Sequence, residues 1–194
     1  MDQTRIDELM QPVPADAAAE IATFRVALKE ESDRGCALIV ASYIDVSLEA
    51  LLNAAFTGSR KIKEGLLGTA RPIGTFSARI DIGYCVGLLP ERVYRDLHLI
   101  RKIRNEFAHA PVATTFQTPE VKLRCGELSC VIFEPEQGLM HARRRFVMSA
   151  LGVLGYLHKS ATSVPCMQVP VGPDFDEMRR LGPELLAEAK RRAE

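Results

Sequence analysis

Residues 90–111 read PERVYRDLHLIRKIRNEFAHAP, and both ends of this stretch are marked for a helix. Pro90 suits a first helical turn, where no N–H is needed, and Glu91 complements the positive end of the helix dipole. Pro111 drives the residue before it out of the helical region, so the helix is predicted to stop near Ala108 to Ala110. Between these signals Val93, Leu97, Ile100, Ile103 or Arg104, and Phe107 recur at helical spacing, a stripe that should face a core. Arg104 lies beside the stripe, and a guanidinium keeps its charge wherever it is placed. Asn105 and His109 are four residues apart and share a face. Arg104 and His109 are separated by a five-residue step, about 140° around a helix. One chain therefore presents them on adjoining sides, and a cleft shared by two chains would use both.

Upstream, Leu38, Ile39, Val40, Ile44, Val46, Leu48, Leu51 and Leu52 surround residues 36–56 on almost all sides, the pattern of a central buried helix. Asp45 and Glu49 stand four apart within it, and burying two carboxylates is costly unless cations or hydrogen bonds meet them. Arg79, Arg101 and Arg104 are the candidate partners, and a structural ion-pair role is favoured over a catalytic one. Before this helix, Asp16 is placed to cap an amphipathic first helix over residues 17 to about 31, which Asp33-Arg34-Gly35 should break. After it, residues 59–68 form a short amphipathic segment with a basic side. Thr75 then caps a helix in which Phe76, Ile80, Tyr84 and Gly87 share a face and Gly83 and Gly87 permit close approach. The tight connection over residues 87–90 folds that helix antiparallel onto the stretch quoted first.

Downstream, Thr118-Pro119-Glu120 reads as cap, first position and acidic first turn of a short helix ending near Cys125-Gly126. Residues 128–133 are β-prone and predict a short strand or hairpin. A long helix follows from Glu136 to about Ser160, with Arg143, Arg144 and Arg145 as an exposed basic band and the best local site for phosphate. Cys125, Cys130 and His141 lack the matching second ligand pair of a zinc site, so no metal is expected, and no cofactor. Residues 163–173 contain three prolines and should be extended. The tail, 174–194, is expected to be helical and broken at Gly182-Pro183. The whole reads as an all-α, single-domain helix bundle: a loose arm over 1–14, a helical domain over 15–162, and a linker and tail over 163–194.

The chain of 194 residues has 47% hydrophobic and 26% charged residues, ample for one core. With 25 basic and 25 acidic residues the formal net charge is zero, so no global field attracts nucleic acid or an anionic membrane, and any phosphate site must be local. Residues 1–8 show no basic region followed by an apolar run, and Asp45 and Glu49 interrupt the apolar stretch that starts at Cys36. Neither a secretory leader nor a membrane span is expected. Five cysteines without framework spacing point to free thiols in a reducing cytoplasm.

The hexapeptide Arg104-Asn105-Glu106-Phe107-Ala108-His109 resembles the Arg-polar-x-x-x-His signature of HEPN domains, helical proteins many of which are dimeric, metal-independent endoribonucleases. Residues 37–52, 74–90 and 99–109 together resemble the MltR (mannitol operon repressor) family, weakly extended from Phe116 to Leu128, over roughly half the chain. The MltR resemblance implies a cytoplasmic regulator of a carbohydrate-uptake operon. The chain offers no convincing helix-turn-helix and no basic excess, which argues against direct DNA reading and for a protein partner. The HEPN resemblance implies RNA cleavage by the ribose 2′-OH. In it His109 moves protons, Arg104 stabilises charge on the phosphate, Asn105 orients one or the other, and an antitoxin partner restrains the enzyme. The balance favours the regulator, and either reading implies a homodimer in which the two helix ends meet.

Overall fold

The structure, a computed structural model, describes residues 15–109, 114–132, 141–168, 172 and 175–193. Eight helices occupy these residues: α1 (Ala15–Ala27), α2 (Asp33–Ala55), α3 (Arg60–Leu67), α4 (Phe76–Cys85), α5 (Glu91–His109), α6 (Pro119–Glu127), α7 (Ala142–Ser163) and α8 (Phe175–Ala193). No strand occurs among the described residues. Leu128 to Ile132, expected as a strand or hairpin, run as irregular backbone, because Asp96 and α7 rather than a second strand take up their polar groups. Phe133 and the arm over 1–14 lie outside the described residues.

α2 organises the bundle, packing against α7, α5 and α4. It begins three residues earlier than expected. Ser32 caps it by accepting from the Gly35 N–H, and Asp33 supplies the acidic first turn, so the Asp33-Arg34-Gly35 stretch opens the helix instead of breaking its predecessor. By length and composition α2 could cross a bilayer, against the expectation that its two carboxylates interrupt the run. Ile44, Leu48, Leu51 and Leu52 are instead fully buried against neighbouring helices, while Ile39 and Val46, 41% and 61% exposed, leave one side of α2 open, so the helix is not enclosed on almost all sides as its sequence suggested. The core continues through Ile80, Leu97, Ile100 and Ile103. A row of rings, Phe107, Phe116 and Phe146, with centroids 4.9 and 5.2 Å apart, ties α5 and the segment before α6 to α7.

Two glycines fix how the elements meet. Gly87, at φ +75°, turns α4 back onto α5, a conformation that costs a residue without Cβ nothing. Gly152 lets the segment after α6 cross α7, since a Cβ there would come 2.0 Å from the Cys130 carbonyl oxygen. Thr75 caps α4 by accepting from the Ala78 N–H. After α7 the Met167 N–H donates to the Ala55 oxygen at 2.8 Å, leading the chain past the end of α2. Among the described residues the core draws nothing from beyond Val164. α8 runs through Pro183 without the expected break. The carbonyl that loses its helical donor there belongs to an exposed residue, Arg179, which water can reach.

Candidate functional site

α5 is one continuous helix with two kinds of polar chemistry. Towards its C-terminus Arg104 and Asn105 are half-buried and His109 is exposed in the last turn. Among the described residues no hydrogen bond or ion pair engages any of the three. Beside them the C-terminal end of the helix is closed by a neighbour: Arg34, in the first turn of α2, donates Nη2 to the Ala108 oxygen at 3.0 Å. A cation there complements the negative end of the dipole. A cleft of about 350 Å³ opens alongside, between the start of α2 and the end of α5, lined by Ser32, Asp33, Arg34, Phe107, Thr114 and Thr115. The chain thus places a guanidinium, an amide and an imidazole near a helix end, with no partner for them among the described residues.

Asp45 and Glu49 meet Arg79. Its Nη1 donates to Asp45 Oδ1 at 2.7 Å, and its Nη2 lies 2.6 Å from Glu49 Oε2 and 2.8 Å from the Leu67 carbonyl. The arginine side chain is 6% exposed and the carboxylates 27% and 42%, so the cation is the buried partner, carried into the core by α4. Arg104 and Arg101, the other partners considered from sequence, take no part. No ion pair joins either of them to Asp45 or Glu49, and among the described residues Arg101 buries its Nε with no hydrogen-bond partner.

The basic triplet is divided by its helix. Arg143 donates Nη1 to Asp33 Oδ1 at 2.7 Å and Nη2 to the carbonyls of Leu28 and Glu31. Arg145 donates to the Leu128 carbonyl at 2.8 Å from Nη2. Only Arg144 is exposed, so the expected open band of three is corrected to one open arginine between two that bind backbone. Successive residues of a helix are about 100° apart, so Arg143 and Arg145 lie on nearly opposite sides of this one and reach different neighbours.

Two clusters escaped the sequence reading. Asp96, 1% exposed, accepts from the Ser129 N–H and Oγ, the Cys130 N–H and, at 2.6 Å, the Ser149 hydroxyl. The signal was present: Asp96 is three residues after Val93 and four before Ile100, on the apolar stripe itself. His98, on the exposed face of the same helix, places Nε2 3.1 Å from Asp81 Oδ1 and stacks edge-on against Tyr94. Spacing gave no hint of that contact, because Asp81 arrives from α4. The thiols are chemically quiet where they are buried. Burial pushes Cys36 up to about 11 and Cys125 and Cys130 up to about 12, so none is a ready thiolate near neutral pH.

No protein-family model matches the chain, and no curated protein does. Among solved structures, it is similar to a chain of the MtlR–HPr complex from Escherichia coli. The TM-score is 0.56 and the identity 20%, over 67% of this chain and 92% of that one. The helical bundle built around α2 and α5 is therefore a fold that this chain shares with a chain of that complex.

Proposed function

We propose that this chain is a cytoplasmic regulatory protein that acts by binding a protein partner. The observation that supports this is the fold held in common with a chain of the MtlR–HPr complex, covering nearly all of that chain. It agrees in kind with the resemblance of residues 37–52, 74–90 and 99–109 to mannitol operon repressors. A zero net charge suits a partner that is a protein better than one that is a phosphate backbone. In this reading residues 15–162 form the regulatory domain, and 163–194 a linker and helical tail. Titrating the purified chain with purified HPr tests the reading by calorimetry. We expect saturable binding with Kd of about 1 μM or tighter, roughly 8 kcal/mol. No heat at a hundredfold higher concentration, together with repression that persists without a protein partner, would remove it.

A second reading, a metal-independent endoribonuclease, is favoured by one observation: Arg104, Asn105 and His109 carry their signature spacing and are engaged by nothing among the described residues. A homodimer pairing the two ends of α5 would complete such a site. In EDTA, wild type would then cut single-stranded RNA, and Arg104→Ala and His109→Ala would each abolish cleavage while leaving the dimer mass unchanged. Wild type that leaves RNA intact, or mutants that still cut it, would remove these residues from catalysis.

A further inference from the structure

The start of α7 concentrates positive charge, of which Arg143 is met by Asp33 while the Arg144 side chain meets no acidic residue among the described residues. Three arginines occupy its first turn, at the positive end of the dipole of a 22-residue helix, and no acidic residue stands among them. The cap residue, His141, makes no side-chain hydrogen bond to the helix. The first backbone N–H to find a helical acceptor is that of Arg145, which donates to the His141 oxygen. Arg143 is neutralised through Asp33, and Arg145 is engaged at the Leu128 carbonyl.

Between this helix end and α1 lies a cleft of about 340 Å³. Its rim is formed by Arg25, Lys29, His141 and Arg144, all exposed and engaged by no ion pair or hydrogen bond among the described residues, together with the half-buried Arg143, which Asp33 already holds. Its floor is Leu28, Val147 and Met148. Leu28 and Met148 are 3% and 8% exposed, so the floor belongs to the packed interior rather than to a loose surface. No carboxylate lines the cleft among the described residues.

We propose that this cleft binds a small amphipathic anion, an acid with a carboxylate, sulfonate or phosphate head and an apolar body. The head would lie among Lys29, Arg144 and the N-terminal turn of α7, where the first-turn N–H groups and the dipole add to the side-chain charge. The body would cover Leu28, Val147 and Met148, an apolar area that bare phosphate leaves wet. The volume sits at the lower end of the roughly 300–1,000 Å³ of small-ligand pockets and is too small for a helix about 10 Å across. The inference stands apart from the regulator reading, since it uses none of the observations on which that reading rests.

The test uses the full chain with 8-anilinonaphthalene-1-sulfonate as fluorescent probe, displaced by decanoate, decanol or inorganic phosphate. We expect one saturable site, displacement by decanoate, and at least tenfold weaker displacement by decanol and by phosphate. Lys29→Glu with Arg144→Glu should weaken the probe at least tenfold at an unchanged melting temperature. If that variant folds poorly, Lys29→Gln with Arg144→Gln should still weaken it severalfold. Val147→Trp, which fills the floor, should abolish binding. Decanol matching decanoate would reduce the cleft to a greasy patch, and phosphate matching decanoate would reduce it to a bare anion site. Either result, or an affinity indifferent to both charge variants, overturns the proposal.

Discussion

Polar side chains in the two halves of α5 meet opposite fates, apart from Glu106, which pairs with Arg124 at 3.0 Å. In the first, Asp96 sits among the apolar stripe and is met by two backbone N–H groups and two hydroxyls drawn from the segment after α6 and from α7. In the second, Arg104, Asn105 and His109 stand at the edge of the same stripe with no partner among the described residues. A buried charge can persist only where the fold supplies its partners, so Asp96 reads as a builder of the bundle. Polar groups left unengaged at a helix end contribute little to folding and are available to something outside the chain. The difference separates what a polar residue does for the fold from what it offers to a partner.

Removing Asp96 should break the comparison most severely if the reading is wrong. Asp96→Ala leaves four donors without their acceptor, three of them on the segment that crosses Gly152, and should cost about 3–5 kcal/mol. Urea unfolding measures this directly, and a loss below about 1 kcal/mol would mean that water replaces the carboxylate without penalty. Arg79→Ala orphans Asp45 and Glu49 at a site where both are partly solvated, so we expect about 3 kcal/mol. Asp45→Ala should cost less, about 1–2 kcal/mol, because Glu49 and the Leu67 carbonyl still hold the guanidinium. Equal losses for the two variants would show that Glu49 contributes nothing in solution.

Smaller effects sharpen the contrast. Ser149→Ala deletes one of the four hydrogen bonds to Asp96 and should cost about 1 kcal/mol. At the other end of the helix Arg104→Ala and His109→Ala should each leave stability within about 0.5 kcal/mol of wild type. A drop of 2 kcal/mol or more in thermal or urea unfolding of Arg104→Ala would make Arg104 a structural residue like Asp96 and dissolve the distinction between the halves.

Much of this was already written in the order of residues. The cap at Thr75, the helix start marked by Pro90, the apolar faces of α2 and α5, and the carboxylate pair one turn apart at Asp45 and Glu49 are local signals. Each follows from helical periodicity or from the hydrogen-bonding needs of a helix end, so a single chain without neighbours displays it. The all-α bundle and the demand for a cation near Asp45 follow from them.

The choice of that cation does not. Arg79, Arg101 and Arg104 have the same chemistry, and only the packing of α4 on α2 brings the first within reach. The division of Arg143, Arg144 and Arg145 has the same origin: a run of identical residues carries no record of which carbonyl or carboxylate each will face. Leu128 to Ile132 have the β-prone residues of a strand but no partner strand among the described residues, and the N–H groups of Ser129 and Cys130 go to Asp96 instead. Sequence determines which groups must be satisfied because that is a property of each side chain. The fold alone decides what satisfies them, because partners 33 to 110 residues apart become neighbours only when the helices pack.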